Sequence, residues 1–226
     1  MTLVLGLDSA TEACSAAILR DGSVAAHRFE TLDRGHAERL MPLVEEVMTE
    51  AGAHFSDLDL IATTVGPGGF TGLRIGLASA RGLALAADRP LVGVTTLEAV
   101  ARAQPTRDTP LMVALDTKRA DFYLQIFDPD DAPLSEPAAL MPSDIAGILA
   151  EGPIAVAGNA GEEVIAALAG SVRTLVMTEG PMLPDAAIVA AIGKERFTAQ
   201  PESARTPPGP LYLRPPDARL PGAISR

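Results

Sequence analysis

Between Val65 and Leu73 the chain reads Gly66-Pro67-Gly68-Gly69-Phe70-Thr71-Gly72, a run that the interior of neither a helix nor a strand tolerates. It is entered from an apolar run with strand character, Leu58 to Val65, and left into Leu73 to Ala87, which is apolar almost all round and is followed by Pro90. A strand, a glycine-rich turn and a helix in that order form half of a parallel crossover unit, so the chain is an α/β protein. The turn lacks the Gly-Lys-Ser/Thr ending of a P-loop, which excludes that phosphate cradle.

The elements around this unit can be read outward from it. Leu3 to Leu7 is a short apolar strand ending in Asp8; Cys14 to Leu19 and Ser23 to Phe29 are two more, with an Asp21-Gly22 turn between them, which predicts an antiparallel meander. Leu40, Leu43, Val44, Val47, Met48 and Ala51 make one helical stripe, with Pro42 expected in the first turn and Gly52 at the end. Leu91 to Val94 is a strand, and Thr95-Thr96-Leu97-Glu98 opens a capped helix. The order is βββαβαβα. A linker at Thr106 to Pro110 is followed by strands at Leu111–Leu115 and Phe122–Phe127, a turn at Asp128–Asp131, a short helix from Pro142-Ser143-Asp144, a strand at Ile154–Ala157 and a helix of about ten residues after Gly158-Asn159-Ala160-Gly161. Val172 to Met177 reads as one more strand and Asp185 to Gly193 as a helix. Both halves begin with a strand ending in an aspartate, Asp8 and Asp116, an internal echo that a duplicated lobe would explain. The expected organisation is a lobe over residues 1–105, a smaller α/β lobe over 106–200 and a proline-rich extended tail over 201–226, anchored by Leu211-Tyr212-Leu213.

Composition narrows the function. With 18 basic against 29 acidic residues the net charge is −11, so tight binding of free nucleic acid by the chain alone is disfavoured. There is no Trp, and aromatic residues make up 4%, too few for base-stacking platforms. No stretch of 18 residues is apolar and free of charge, the segment Met1 to Asp8 lacks a basic n-region, and a lone Cys14 fits a reducing compartment; a cytosolic protein without a membrane span is expected.

Three segments, Leu7 to Ser15, Gly66 to Gly76 and Leu115 to Tyr123, resemble in order and spacing the bacterial TsaB (YeaZ-type) family, and Gly158-Asn159 and Tyr212-Leu213-Arg214 are similar to it as well. The resemblance covers most of the chain and thins between about residues 161 and 200. It implies an actin/sugar-kinase-like (ASKHA, ribonuclease H-like) fold of two lobes, the second reduced. It further implies a non-catalytic dimerisation subunit supporting N6-threonylcarbamoylation of adenosine 37 in tRNA. Its partners would be a second copy, the catalytic sister subunit (TsaD-like) or both, joined by an ATPase subunit (TsaE-like), with tRNA reached only through the complex. Gly69 departs from the family, which usually has Ser there.

The candidate residues fall into two sets. Gly72, Gly76 and Ala80 recur every four residues, with Ile75, Ser79 and Leu83 beside them, a spacing that admits a close second helix. With Leu40, Leu43, Val44, Val47 and Met48 they form the expected interface, since the family uses these two helices; packing on the chain's own sheet is the alternative. Asp8, Ser9, Thr11, Gly68, Gly69 and Asp116 could meet a nucleotide or anion, or could serve only to satisfy their turns. The sequence assigns no cofactor with certainty, and ATP or ADP at a complex interface is left open. A metal site like the sister subunit's needs two histidines one helical turn apart, but His36 is followed at that spacing by Leu40, and His27 and His54 have no such partner. This also weakens a metalloprotease reading. An ATP-dependent phosphotransferase or ATPase, using Asp8 and Asp116, is the competing function.

Overall fold

The structure, a computed structural model, describes residues 2–149, 151–170, 174–204 and 206–214. Two five-stranded mixed sheets dominate it. In the first, β1 (Leu3–Asp8), β2 (Ala13–Arg20) and β3 (Ser23–Thr31) form the antiparallel meander, and β4 (Leu60–Thr64) and β5 (Leu91–Val94) extend it in parallel, in the order β3-β2-β1-β4-β5. In the second, β6 (Leu111–Asp116), β7 (Phe122–Phe127), β8 (Ala138–Leu140), β9 (Ile154–Ala157) and β10 (Leu175–Met177) are ordered β10-β9-β6-β7-β8. Read from the other edge this is the plan of the first sheet, so the paired aspartates mark a true structural repeat. The second lobe is reduced in element length rather than in plan: β8 and β10 have three residues each.

Helices α1 (His36–Glu50) and α2 (Phe70–Ala87) lie side by side on one face of the first sheet. Strand alternation explains the layering. Leu3, Leu5 and Leu7 point to the α1/α2 face and share a core with Leu40, Leu43, Val44, Val47 and Ala80. Val4 points to the opposite face, where it meets Ala186 and Ala190 of α6 (Ala186–Ala199). That face is packed tightly, because a Cβ on Gly6 would stand 2.0 Å from the Ala186 carbonyl oxygen. In the second lobe α4 (Pro142–Ile148) and α5 (Gly161–Ala167) cover one face of the sheet through Ile145 and Val164. Helix α3 (Thr96–Arg102), capped by the Thr95 hydroxyl accepting from the Glu98 amide at 3.1 Å, packs Leu97 and Val100 on Leu111, Val113 and Leu115 of the other.

Several expectations are therefore corrected. The third helix of each half packs on the other half's sheet: α3 lies on the second and α6 on the first, so neither 1–105 nor 106–200 is a self-contained unit. Helix α1 starts at His36, which puts Pro42 in its second turn rather than its first; the ring there removes the bond that would otherwise reach Glu38. Strand β8 has no apolar alternation to announce it. Part of the strand expected from Val172 and the tail beyond Arg214 lie outside the described residues. No helix among the described residues is long and apolar enough to cross a membrane.

Candidate functional site

The two lobes face each other across a cavity of about 620 Å³. Its first-lobe wall is the β1–β2 turn (Ala10, Thr11, Glu12), the start of α1 and the loop Gly68 to Gly72; its second-lobe wall is Leu115 to Lys118, Tyr123 and Asn159. Asn159 ties the walls together. Its amide nitrogen donates to both Glu12 carboxylate oxygens, at 2.8 and 3.0 Å, while its oxygen accepts the Asp116 amide at 3.0 Å. His36 Nε2 lies 2.9 Å from the Thr11 carbonyl oxygen and so places the start of α1 on the same turn. Four carboxylates (Glu12, Asp33, Glu38, Asp116) line the cavity against the cations Arg34 and Lys118, and Lys118 Nζ is 2.7 Å from Asp116 Oδ2. That pairing, with the charge-assisted hydrogen bond it brings, holds the Lys118 ammonium above its ordinary pKa. A polyanion entering this cleft would meet net negative charge.

Of the residues read as nucleotide- or anion-binding, Thr11, Gly68, Gly69 and Asp116 line the cleft, and Asp8 and Ser9 do not. Thr11 Oγ1 caps its own turn by accepting from the Ala13 amide at 3.1 Å, and the Gly69 amide donates to the Ala10 carbonyl at 2.7 Å. The loop needs its glycines for close approach: a Cβ on Gly68 would stand 2.1 Å from the Ala10 carbonyl oxygen. Ser9 is buried and donates to the Gly72 carbonyl at 2.9 Å. Asp8 is fully buried on the side of the sheet that faces α6. Its Oδ1 accepts from the Thr64 hydroxyl at 2.7 Å and the Ala10 amide at 3.2 Å, and its Oδ2 has no partner among the described residues. Burial pushes its carboxyl from 3.8 up to about 7, against the lowering effect of those hydrogen bonds. Cys14 is an inert core thiol, pushed by burial up to about 12. No group of three or more His, Cys, Asp or Glu side chains capable of holding a metal occurs among the described residues.

The interface set is redistributed. Leu40, Leu43, Val44, Val47 and Met48 are buried in the first lobe's own core, so they cannot meet a partner. Gly72, Gly76 and Ala80 also face inward: a Cβ on Gly72 would be 2.2 Å from the Ser9 carbonyl oxygen, and one on Gly76 would be 2.7 Å from Ser9 Oγ. The small-residue stripe exists to let α2 close on the β1–β2 turn. Ile75, Ser79 and Leu83 are half-buried; Ile75 and Leu83 pack against the core that α1 and α2 share. The exposed side of α2 is a different line, Phe70, Arg74, Ala78, Arg81, Gly82, Leu85 and Ala86, with Leu85 at 85% exposure. Beside it α1 exposes Ala37, Glu38, Glu45 and Thr49, with Met41 half-buried. Small residues at 78, 82 and 86 repeat the four-residue spacing two positions away from the inward stripe. The sequence carried this second line too, but an all-round apolar helix does not say which of two small-residue stripes faces the sheet.

The other residues that sequence reasoning missed are Glu12, Asn159 and Arg214, polar side chains whose contacts span about 100 or more positions, and Lys118, which pairs with Asp116 two positions away. The repeat was the available signal, because Glu12 and Lys118 follow the two equivalent aspartates.

Two equivalent five-stranded sheets around a cleft define an actin/sugar-kinase-like protein, and solved structures bear this out. A ROK hexokinase from Thermus thermophilus superposes with a TM-score of 0.53 at 12% identity, over 88% of this chain and 100% of that one, which speaks for the fold alone. YeaZ from Pseudomonas aeruginosa is nearer, with a TM-score of 0.80 at 29% identity over 94% of this chain and all of that one. Residues 29–167 match the family described as "TsaD: tRNA N6-adenosine threonylcarbamoyltransferase". The tRNA threonylcarbamoyladenosine biosynthesis protein TsaB of Escherichia coli is 39% identical over 130 residues, 57% of this chain and 56% of that protein; the match thus spans little more than half of that relative's length. An uncharacterized protein of Mycobacterium tuberculosis is 34% identical over 221 residues, 97% of this chain and 95% of its own. The chain belongs to the TsaB/YeaZ family, within the broader TsaD group.

Proposed function

We propose that this protein is a non-catalytic subunit in tRNA threonylcarbamoyladenosine biosynthesis. Through the outer faces of α1 and α2 it pairs with a second copy or with a TsaD-like catalytic subunit. The observation that carries the reading is the exposed line Ala78, Gly82, Leu85 and Ala86: it leaves a flat apolar strip on an 18-residue helix. Charge supports it. Between Phe70 and Ala87 the helix carries Arg74 and Arg81 and no acidic residue, while α1 beside it exposes Glu38 and Glu45. A partner presenting the same pair of helices in reverse order would match acid to base.

The relatives named TsaB and tRNA N6-adenosine threonylcarbamoyltransferase support the pathway and the TsaD-like partner. A TsaE-like ATPase as a further member rests on the family resemblance. The cleft supports a non-catalytic role: its carboxylates outnumber its cations, and the Glu12–Asn159 contact spans the ground between the lobes. The phosphotransferase alternative would have Asp8 and Asp116 serve the metal and phosphates; Asp116 lines the cleft but is paired with Lys118, and the Asp8 carboxyl is buried away from it.

Reconstitution tests the reading. With the TsaD-like and TsaE-like subunits of the same cell, an activated threonylcarbamoyl donor, ATP and unmodified tRNA, the modified nucleoside should form only when this protein is added. The protein alone should neither modify tRNA nor consume ATP. Modification in its absence, or phosphate release by it alone, would refute the proposal.

A further inference from the structure

We propose that residues 206–214 act as a strap that couples the outer face of α2 to the second lobe and thereby sets the angle of the cleft. The segment has no regular secondary structure, yet it is fastened along its length. Pro208 fills a notch over β5, where a Cβ on Gly93 would stand 2.8 Å from the proline Cβ. The Pro208 carbonyl accepts from Arg81 at 2.6 Å, and the Leu211 amide donates to the Val65 carbonyl at 2.7 Å. The Tyr212 hydroxyl accepts from Arg74 Nε at 2.9 Å, and its ring stacks on Phe70 with centroids 5.9 Å apart. Arg74 itself lies 3.6 Å over the Phe70 ring.

The strap then leaves the first lobe. The Arg214 guanidinium pairs with Asp121 and donates to the Thr117 hydroxyl at 3.3 Å, both on the β6–β7 turn, and lies over the ring of Tyr123 at the start of β7 at 5.8 Å; Thr117 and Tyr123 wall the cleft. From Leu211 to Arg214 is three residues, at most about 10 Å of extended chain, so the tether has little slack. Prolines at 207, 208 and 210 stiffen what precedes it. Beside Glu12–Asn159 inside the cleft and the Arg196–Glu98 and Arg102–Glu195 pairs between α6 and α3, the strap makes a further tie between the lobes.

Two of its first-lobe anchors are the arginines exposed on α2, beside the Pro208 notch and the Leu211–Val65 hydrogen bond. Anything that seats on that face and recruits Arg74 and Arg81 takes them from Tyr212 and Pro208, loosens Arg214 and frees the second lobe. By reciprocity, a cleft held shut favours the arginines' present partners. The strap itself does not depend on the proposed pathway.

Hydrogen exchange on the full chain tests it, comparing wild type, the Arg74→Ala/Arg81→Ala double variant and Arg214→Ala. Both variants should speed exchange by about fivefold or more in two segments: residues 206–214 and the distant turn 117–123. Faster exchange at 206–214 with 117–123 unchanged in the double variant would overturn the coupling, and so would unchanged exchange at 206–214. Should an alanine variant fail to fold, Tyr212→Phe removes only the hydroxyl held by Arg74. It should speed both segments by a smaller factor, and an unchanged turn at 117–123 would again refute the strap.

Discussion

Replacing Asp8 by Asn should stabilise the protein at pH 8 and destabilise it, relative to wild type, at pH 4. The carboxyl's folded pKa is raised from 3.8 to about 7, so the folded state holds a proton that the unfolded chain releases between those values. Its contribution to stability is therefore greatest below pH 3.8, falls as pH rises through that window and is level above about 7. At about 1.4 kcal/mol per pH unit the swing is about 4 kcal/mol. Asn stays neutral throughout and keeps an oxygen for the Thr64 hydroxyl and the Ala10 amide. Its NH2 group, however, takes the place of Oδ2, which has no partner among the described residues, and that costs about 1–3 kcal/mol. The net gain at pH 8 is then about 1–3 kcal/mol. Urea denaturation at several pH values measures the difference, which cancels every other titrating group. A wild-type-minus-variant difference that does not change between pH 4 and 8 would mean that Asp8 is ionised in the fold. The same experiment bears on function, because a phosphotransferase that needed Asp8 charged would hold it so.

Adding one methyl group at Gly72 should destabilise the fold, and adding one at Gly82 should not. At Gly72 the new Cβ would press on the Ser9 carbonyl oxygen at 2.2 Å, and Ser9 in turn donates to the Gly72 carbonyl. Backbone on both sides leaves no flexible atom to give way, so helix and turn must part. Overpacking of this kind costs about 1–3 kcal/mol, the strained hydrogen bond about 1 more, and the gain in helix propensity returns about 1. Gly72→Ala should thus lower stability by about 1–3 kcal/mol, a fall in Tm of about 3–10 °C for a chain of this size. A Cβ on Gly82 meets nothing within 4 Å, and only the propensity gain remains, about 1 kcal/mol of stabilisation. Thermal melts of the two variants should move in opposite directions. Equal and small shifts would mean that α2 sits on the sheet by some other face.

The contrast shows how far the sequence could be read. Among the described residues, periodicity located nine of the ten strands and all six helices, because most carry an apolar run or stripe of their own. Strand β8 escaped, having three half-buried residues and no alternation. The aspartate echo correctly implied a repeated lobe. What could not be read is partnership at a distance: α3 and α6 look like the last helix of each half, and only the packed structure shows them exchanged between sheets. The candidate site divides in the same way. Glycine turns and helix identities were legible, since steric rules act locally. Facing was not, because Gly72-Gly76-Ala80 and Ala78-Gly82-Ala86 are equally good stripes on one apolar helix. The inward stripe is fixed by Ser9, a residue 63 positions from Gly72. Asp8 shows the limit for polar groups: its chemistry depends on which side of β1 it points to, and there α6 covers it.

In the proposed assembly the outward line of α2, not the stripe Gly72-Gly76-Ala80, receives a second subunit. Gly82→Arg places a long cation in the middle of that line without touching the chain's own core. Sedimentation velocity of the wild type and this variant, each alone and mixed with the TsaD-like subunit, measures the association. The variant should keep its melting temperature and lose association by about 100-fold or more in Kd, about 3 kcal/mol. Undiminished association with both a second copy and the TsaD-like subunit would contradict the proposed assembly.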